Sequence, residues 1–162
     1  AAGARLAHAV SYDHQEDGGV ATAVAAFWEH FEHSADIGIR GVGPTRESAF
    51  EQIALALTGV VADPAVVRSQ LSVAIECEAP DDELLVVDWL NALVYEMATR
   101  RVLFGAFTVV LEGSRLSAIA WGELVDPQRH DPAVEVKGAT YTALRVGRRA
   151  DGGWFAECVV DV

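Results

Sequence analysis

The sequence predicts an α+β fold, with a largely antiparallel or mixed sheet and two main helices packed on it. Three observations carry that expectation. Two segments repeat apolar residues at helical spacing: Ala49, Phe50, Ile53, Ala54, Leu57 and Val61, then Leu85, Val86, Trp89, Leu90, Leu93, Val94 and Met97. A third, LSVAIECE, alternates Leu71, Val73, Ile75 and Cys77 at the two-residue period of a half-buried strand. The element order is two strands, helix, strand, helix, four strands. It ends on antiparallel hairpins, unlike the regular β-α alternation of a parallel sheet.

Residues 1–26 read as an N-terminal tail, loosely ordered, with room for a short helix in VATAVAAF. His14, Glu16 and Asp17 carry ligand-type side chains there, although a solvated polar loop accounts for them equally simply. Residues 27–162 read as a single domain. FWEHFEH and DIGIRGV are strands flanking a turn at Ser34-Ala35, and Pro44-Thr45 is placed to start the first helix. Pro80-Asp81-Asp82 opens the second helix with acids in its first turn, where the macrodipole favours them. Four strands follow: VLFGAFTVVL, SRLSAIAWG, AVEVKGATYTALRV and WFAECVVDV.

The chain's 162 residues suffice for one buried core, and 51% of them are hydrophobic. No apolar run reaches the ~18 residues of a membrane span, and AAGARLAHAV makes a poor signal peptide. Cys77 and Cys158 lie in apolar strand segments and read as buried free thiols, so a cytoplasmic protein is expected. Twenty-four acids against twelve Lys and Arg give a formal charge of −12. Such a chain repels phosphate backbones, so RNA is expected only indirectly, through a partner.

The common enzyme signatures do not occur: there is no GxSxG, HExxH or CxxC. The glycines of GIRGVGPT are better explained by a turn than by a phosphate cradle. No catalytic residue and no nucleotide-binding motif is assigned. Three positions separate His30 from His33, which in a strand sends them to opposite faces. Asp126 to Asp131 reads as a polar loop.

Asp36 sets an acid inside an otherwise apolar strand, where an unpaired buried carboxylate would be costly. In WFAECVVDV the same alternation puts Asp161 on the face opposite the core stripe, beside the α-carboxylate of Val162. If the last strand runs beside DIGIR, Asp36 adds a third oxygen donor. Such a set suits Ca²⁺, Mg²⁺ or Mn²⁺ better than zinc. An exposed, solvated strand end is the plain alternative.

FEHSADIGIRG, VDWLNALVYE, DPQRHDPAVEVKGATYTALRV and GGWFAECVVDV together resemble the archease family in order and spacing, from about Phe27 to Val162. The resemblance implies an accessory protein rather than an enzyme. Archeases activate the GTP-dependent RNA ligase that joins 2′,3′-cyclic-phosphate or 3′-phosphate ends to 5′-hydroxyl ends in tRNA splicing and RNA repair. They promote ligase guanylylation and multiple turnover. The resemblance also implies a divalent-metal site at Asp36, Asp161 and Val162, with Ca²⁺ or Mg²⁺ favoured and Mn²⁺ or Zn²⁺ admissible. Lys137, His33 and His130 are the expected partner contacts. Ser34, Gly138 and Thr142 depart from the family's usual Thr, Ala and His. The rival readings are a general chaperone or adaptor of RNA-modifying enzymes and a small metal-dependent hydrolase. Oligomeric state stays open.

Overall fold

The computed structural model describes residues 14–16, 19–21 and 24–162. Strands β1 (His14–Glu16) and β2 (Gly19–Ala21) pair antiparallel. Strands β3 (Phe27–His33) and β4 (Asp36–Gly43) form a hairpin around Ser34, whose φ of +54° supplies the left-handed turn. Helix α1 (Arg46–Val61) follows. Thr45 caps it in a reciprocal box: its hydroxyl accepts the Ser48 N–H, and Ser48 Oγ accepts the Thr45 N–H.

After strand β5 (Leu71–Glu78), helix α2 (Asp82–Arg100) starts at Asp81, whose carboxylate accepts the Leu84 N–H. The helix ends at Arg101 in the left-handed region. Strands β6 (Val102–Glu112) and β7 (Arg115–Leu124) form a hairpin, and β7 also pairs with β5. A short helix α3 (Pro127–His130) leads to β8 (Gly138–Ala139), β9 (Arg145–Arg148) and β10 (Trp154–Asp161).

The expected α+β class holds, with every described strand pair antiparallel and the sheet divided in two. In the larger sheet β10 lies between β4 on one side and β9 and β8 on the other. The smaller has the order β5-β7-β6. Both helices bury their apolar stripes in one common core, centred on Phe50, Ile53, Trp89, Leu90 and Phe104. Trp89, fully enclosed, donates from Nε1 to the Phe50 carbonyl at 3.0 Å and so ties α2 to α1. Helix α1 also presses on β4: a Cβ on Gly41 would stand 2.2 Å from Ile53 N.

The free edge of β6 is closed by α1 side chains. Glu51 accepts the Val109 N–H at 2.8 Å, and Thr58 donates its hydroxyl to the Phe104 carbonyl at 2.8 Å. Both backbone groups would otherwise be open to pairing with another chain.

Three segments depart from expectation. The strand β2 occupies part of VATAVAAF, and Ala26 bridges just before β3, so the short helix expected there is not formed by its described residues. AVEVKGATYTALRV is not one strand. It is cut by a turn in which Thr140 Oγ1 accepts the Thr142 N–H and Ala143 takes a φ of +53°. The polar stretch after Asp126 is helix α3, because the Asp126 carboxylate accepts the Gln128 and Arg129 N–H groups.

Candidate functional site

The register of β3, β4 and β10 decides how the expected site residues stand. His33 is paired directly with Asp36 across the β3–β4 hairpin. On the other side of β4, Val160 is paired with Ile37; one step further, Asp161 falls opposite Asp36. Directly opposed residues of an antiparallel pair project to the same face. His33, Asp36 and Asp161 therefore form one cross-strand row at the end of the larger sheet, all exposed. Val162 follows immediately. The sequence's question about Asp36 is answered by exposure: as the first residue of β4 it stays in water.

The opposite face of the same strands packs on α1. Ile39, Ala156, Cys158 and Val160 are buried there. His30 belongs to that side, with its Nε2 2.8 Å from the Ala56 carbonyl, and burial lowers its pKa below the usual histidine value. The two histidines thus do face opposite ways. The thiols have no nucleophilic character. Burial pushes Cys158 up to about 12 and Cys77 up to about 11, and both are free.

The donor chemistry of the row fits a hard divalent cation. Opposed Cβ atoms in a sheet are about 4.5–5.5 Å apart, and a Ca²⁺ ion with oxygen ligands at about 2.3–2.6 Å spans two carboxylates at that separation. Two carboxylates and a chain-terminal one make the set, so only two of its donors are side chains. Among the described residues no group of three or more His, Cys, Asp or Glu side chains is arranged to hold a metal ion. The Asp161 carbonyl is already engaged, accepting the Lys137 N–H at 2.7 Å. That bond brings exposed Lys137 to the same end of the sheet.

His130 lies elsewhere and is enclosed. Its side chain is fully buried; Nδ1 accepts the Asp126 N–H at 2.8 Å, and Nε2 sits 3.0 Å from Glu123 Oε2. Glu123 is buried too. It accepts from Arg129 and, at 2.7 Å, from the Arg68 N–H. Contact between His130 and a partner would require this cluster to open. Sequence reasoning missed the cluster because Glu123 stands among alternating strand residues with no local sign that its partners come from two loops.

It also passed over Asn91, Tyr95 and Tyr141. Asn91 Oδ1 accepts the Ala139 N–H at 2.9 Å, closing the α2 side of the β8 edge. Tyr95 and Tyr141 are strongly exposed. The helical period held the signal for Tyr95, which falls outside the apolar stripe of α2 and shares a face with Asp88 and Asn91.

Among the described residues no helix is long and apolar enough to cross a membrane. Comparison with known proteins agrees with the motifs. Residues 28–162 match the model of the archease protein family (MTH1598/TM1083). The chain is similar to the protein archease of Pyrococcus furiosus, with 41% identity over 139 residues that cover 83% of this chain and 98% of that protein. A second relative, the protein archease of Methanosarcina mazei, is 37% identical over 140 residues, covering 83% and 95%. The solution structure of protein 1598 of Methanobacterium thermoautotrophicum superposes with a TM-score of 0.73 at 28% identity, covering 83% of this chain and 98% of that one. The crystal structure of an archease of Thermotoga maritima, described as a possible chaperone, shares the fold at a TM-score of 0.52 and 17% identity, covering 82% and 94%. With its four motifs, its α+β architecture and relatives matched over nearly their whole length, the chain belongs to the archease family.

Proposed function

We propose that this protein is a non-catalytic activator of a GTP-dependent RNA ligase that joins 3′-phosphate to 5′-hydroxyl ends. It promotes guanylylation of the ligase and its multiple turnover, in tRNA splicing or RNA repair. Its working part is the acidic end of the larger sheet, where Asp36, Asp161 and Val162 would hold a divalent cation, Ca²⁺ or Mg²⁺ before Mn²⁺ or Zn²⁺. When bound, that cation supplies a positive centre between the carboxylates and a Lewis-acidic contact for oxygen ligands. The protein's own residues position the edge. Sheet pairing sets Asp36 against Asp161, and the Lys137 N–H fixes the Asp161 carbonyl.

The observation that supports this reading most is the register. It brings two acids 125 positions apart in the chain to opposed places on an exposed strand end, where nothing in the packing requires them. His33 completes the row and Lys137 borders it, so both are kept as contacts with the ligase. RNA is reached through the ligase, as the charge of −12 favours. Work in the cytoplasm belongs to the same proposal.

The test is GTP-dependent guanylylation of the ligase, and ligation under single and multiple turnover, with parent, Asp36→Ala and Asp161→Ala. The parent should accelerate both, and each variant should lose most of the stimulation while keeping its circular dichroism spectrum. Equal stimulation by parent and variants would remove the acidic edge from the function. A general chaperone would instead protect unrelated RNA-modifying enzymes without metal, and a hydrolase would turn over phosphoesters unaided.

A further inference from the structure

Beside the acidic row lies an open groove of about 560 Å³ between α2 and the β8 edge, bordered by Asn91, Tyr95, Lys137, Thr140 and Asp161. Its walls are tied down. Asn91 Oδ1 accepts the Ala139 N–H, Lys137 N–H donates to the Asp161 carbonyl, and Thr140 donates from both N–H and hydroxyl to the Val159 carbonyl at 3.0 and 2.8 Å.

Two aromatic side chains stand at this groove without a structural task. Tyr95 is 65% exposed and points away from the core stripe of α2. Tyr141 is 70% exposed, yet its backbone is held between Thr140 and Thr142 by the Thr142 N–H to Thr140 Oγ1 contact of 3.2 Å. A large, rigidly mounted aromatic side chain loses little conformational freedom when covered. Such residues dominate the energetics of protein interfaces.

We propose that Tyr95 and Tyr141 are the anchors by which this end of the molecule docks a protein surface presenting arginine side chains. The proposal rests on the activator reading above and takes that surface to be the ligase's. The chemistry of the groove points to arginine. Guanidinium planes stack on tyrosine rings and pair with carboxylates, and here Asp161 and Asp36 lie next to the rings. Lys137, the groove's one base, asks the partner for an acid in the same register, so recognition is two-signed. A second copy of this chain fits poorly, since the contact would bring two acidic edges together in a molecule of charge −12.

Binding of the full chain to the ligase is measured by titration calorimetry, together with stimulated ligation as a function of activator concentration. The proteins are the parent, Y95A, Y141A, the double variant and Asp161→Ala. The double variant should bind at least tenfold more weakly and need at least tenfold more protein for half-maximal stimulation. Stimulation at saturation should match the parent, which separates docking from the work of the acidic edge. Parent-like affinity in a folded double variant overturns the anchors while leaving the activator reading intact. A parent that neither binds nor stimulates overturns the activator reading, and the docking proposal with it. A parent that sediments as a dimer dissociated by the tyrosine changes assigns the groove to a second copy and overturns the proposal.

Discussion

His130 and Glu123 face each other out of solvent, with Nε2 3.0 Å from Oε2, while the Asp126 N–H occupies Nδ1. The backbone donor at Nδ1 leaves the ring proton on Nε2, so a neutral imidazole donates to the carboxylate. This pair joins α3 to the end of β7. Replacing His130 by Ala strips donors from both Glu123 and Asp126 and should cost about 1–3 kcal/mol, the usual penalty for buried groups left unpaired. Urea denaturation at neutral pH measures it.

The same cluster sets acid stability. Hydrogen bonding from Arg129 first, and from the Arg68 N–H and His130 after it, holds the Glu123 carboxyl at about 2. A pKa depressed in the folded state adds stability that is complete above the ordinary glutamate range and lost as pH falls towards about 2. The urea midpoint of the parent should therefore drop from near pH 4.5 downward. Glu123→Gln should lower the midpoint at pH 7 and flatten that acid limb.

His30 titrates at milder pH. Burial is the main cause of its lowered value, opposed by its bond to the Ala56 carbonyl. Its contribution is intact above pH 6.5 and falls as the solution is acidified below it, because the unfolded chain takes up the proton more readily. A histidine NMR titration should find its midpoint under 6.5, whereas replacement by Phe should remove this part of the stability profile. A midpoint at or above 6.5 would contradict the buried, hydrogen-bonded environment.

Gly41 is where helix and sheet touch most closely. A methyl group there meets backbone atoms, Ile53 N at 2.2 Å and Ala49 O at 2.5 Å, which cannot rotate away. Gly41→Ala should destabilise by more than about 3 kcal/mol, beyond the usual overpacking range, because α1 itself must shift. Gly113→Ala offers the contrast: it meets nothing within 4 Å and pays only for a φ of +61°. Thermal melts of the two should separate clearly.

The β6 edge offers a local test. In Glu51→Ala the Val109 amide loses its acceptor, so its hydrogen exchange should accelerate relative to Val110. Thr58→Val frees the Phe104 carbonyl and should cost about 1–3 kcal/mol. An unchanged Val109 exchange rate would mean that Glu51 does not close the edge.

Both helices and most strands were legible because their apolar residues kept one period over many positions, as from Ala49 to Val61 and from Leu71 to Cys77. The alternation in β10 correctly divided Asp161 from Cys158 and Val160. What escaped was non-local or was decided by single turns. The division of the sheet depends on which strands find each other, and nothing in a strand's own sequence states its neighbour. The break in AVEVKGATYTALRV comes from one threonine hydroxyl and one left-handed alanine, inside a segment whose composition reads as continuous strand. His130 looked like a surface residue because its polar neighbours hid the fact that its acceptor lies in β7.

Strand β10 is the last strand in chain order and sits inside the larger sheet, between β4 and the β9 and β8 segments. Translation therefore delivers the β3–β4 hairpin and α1 long before the strand that β4 must pair with. For most of synthesis, one side of β4 remains an unfilled template, and the sheet closes only through contacts of high sequence separation. Assembly of the acidic row is consequently a late folding event: Asp36 waits for Asp161, and a chain stalled before β10 carries neither the sheet nor the site.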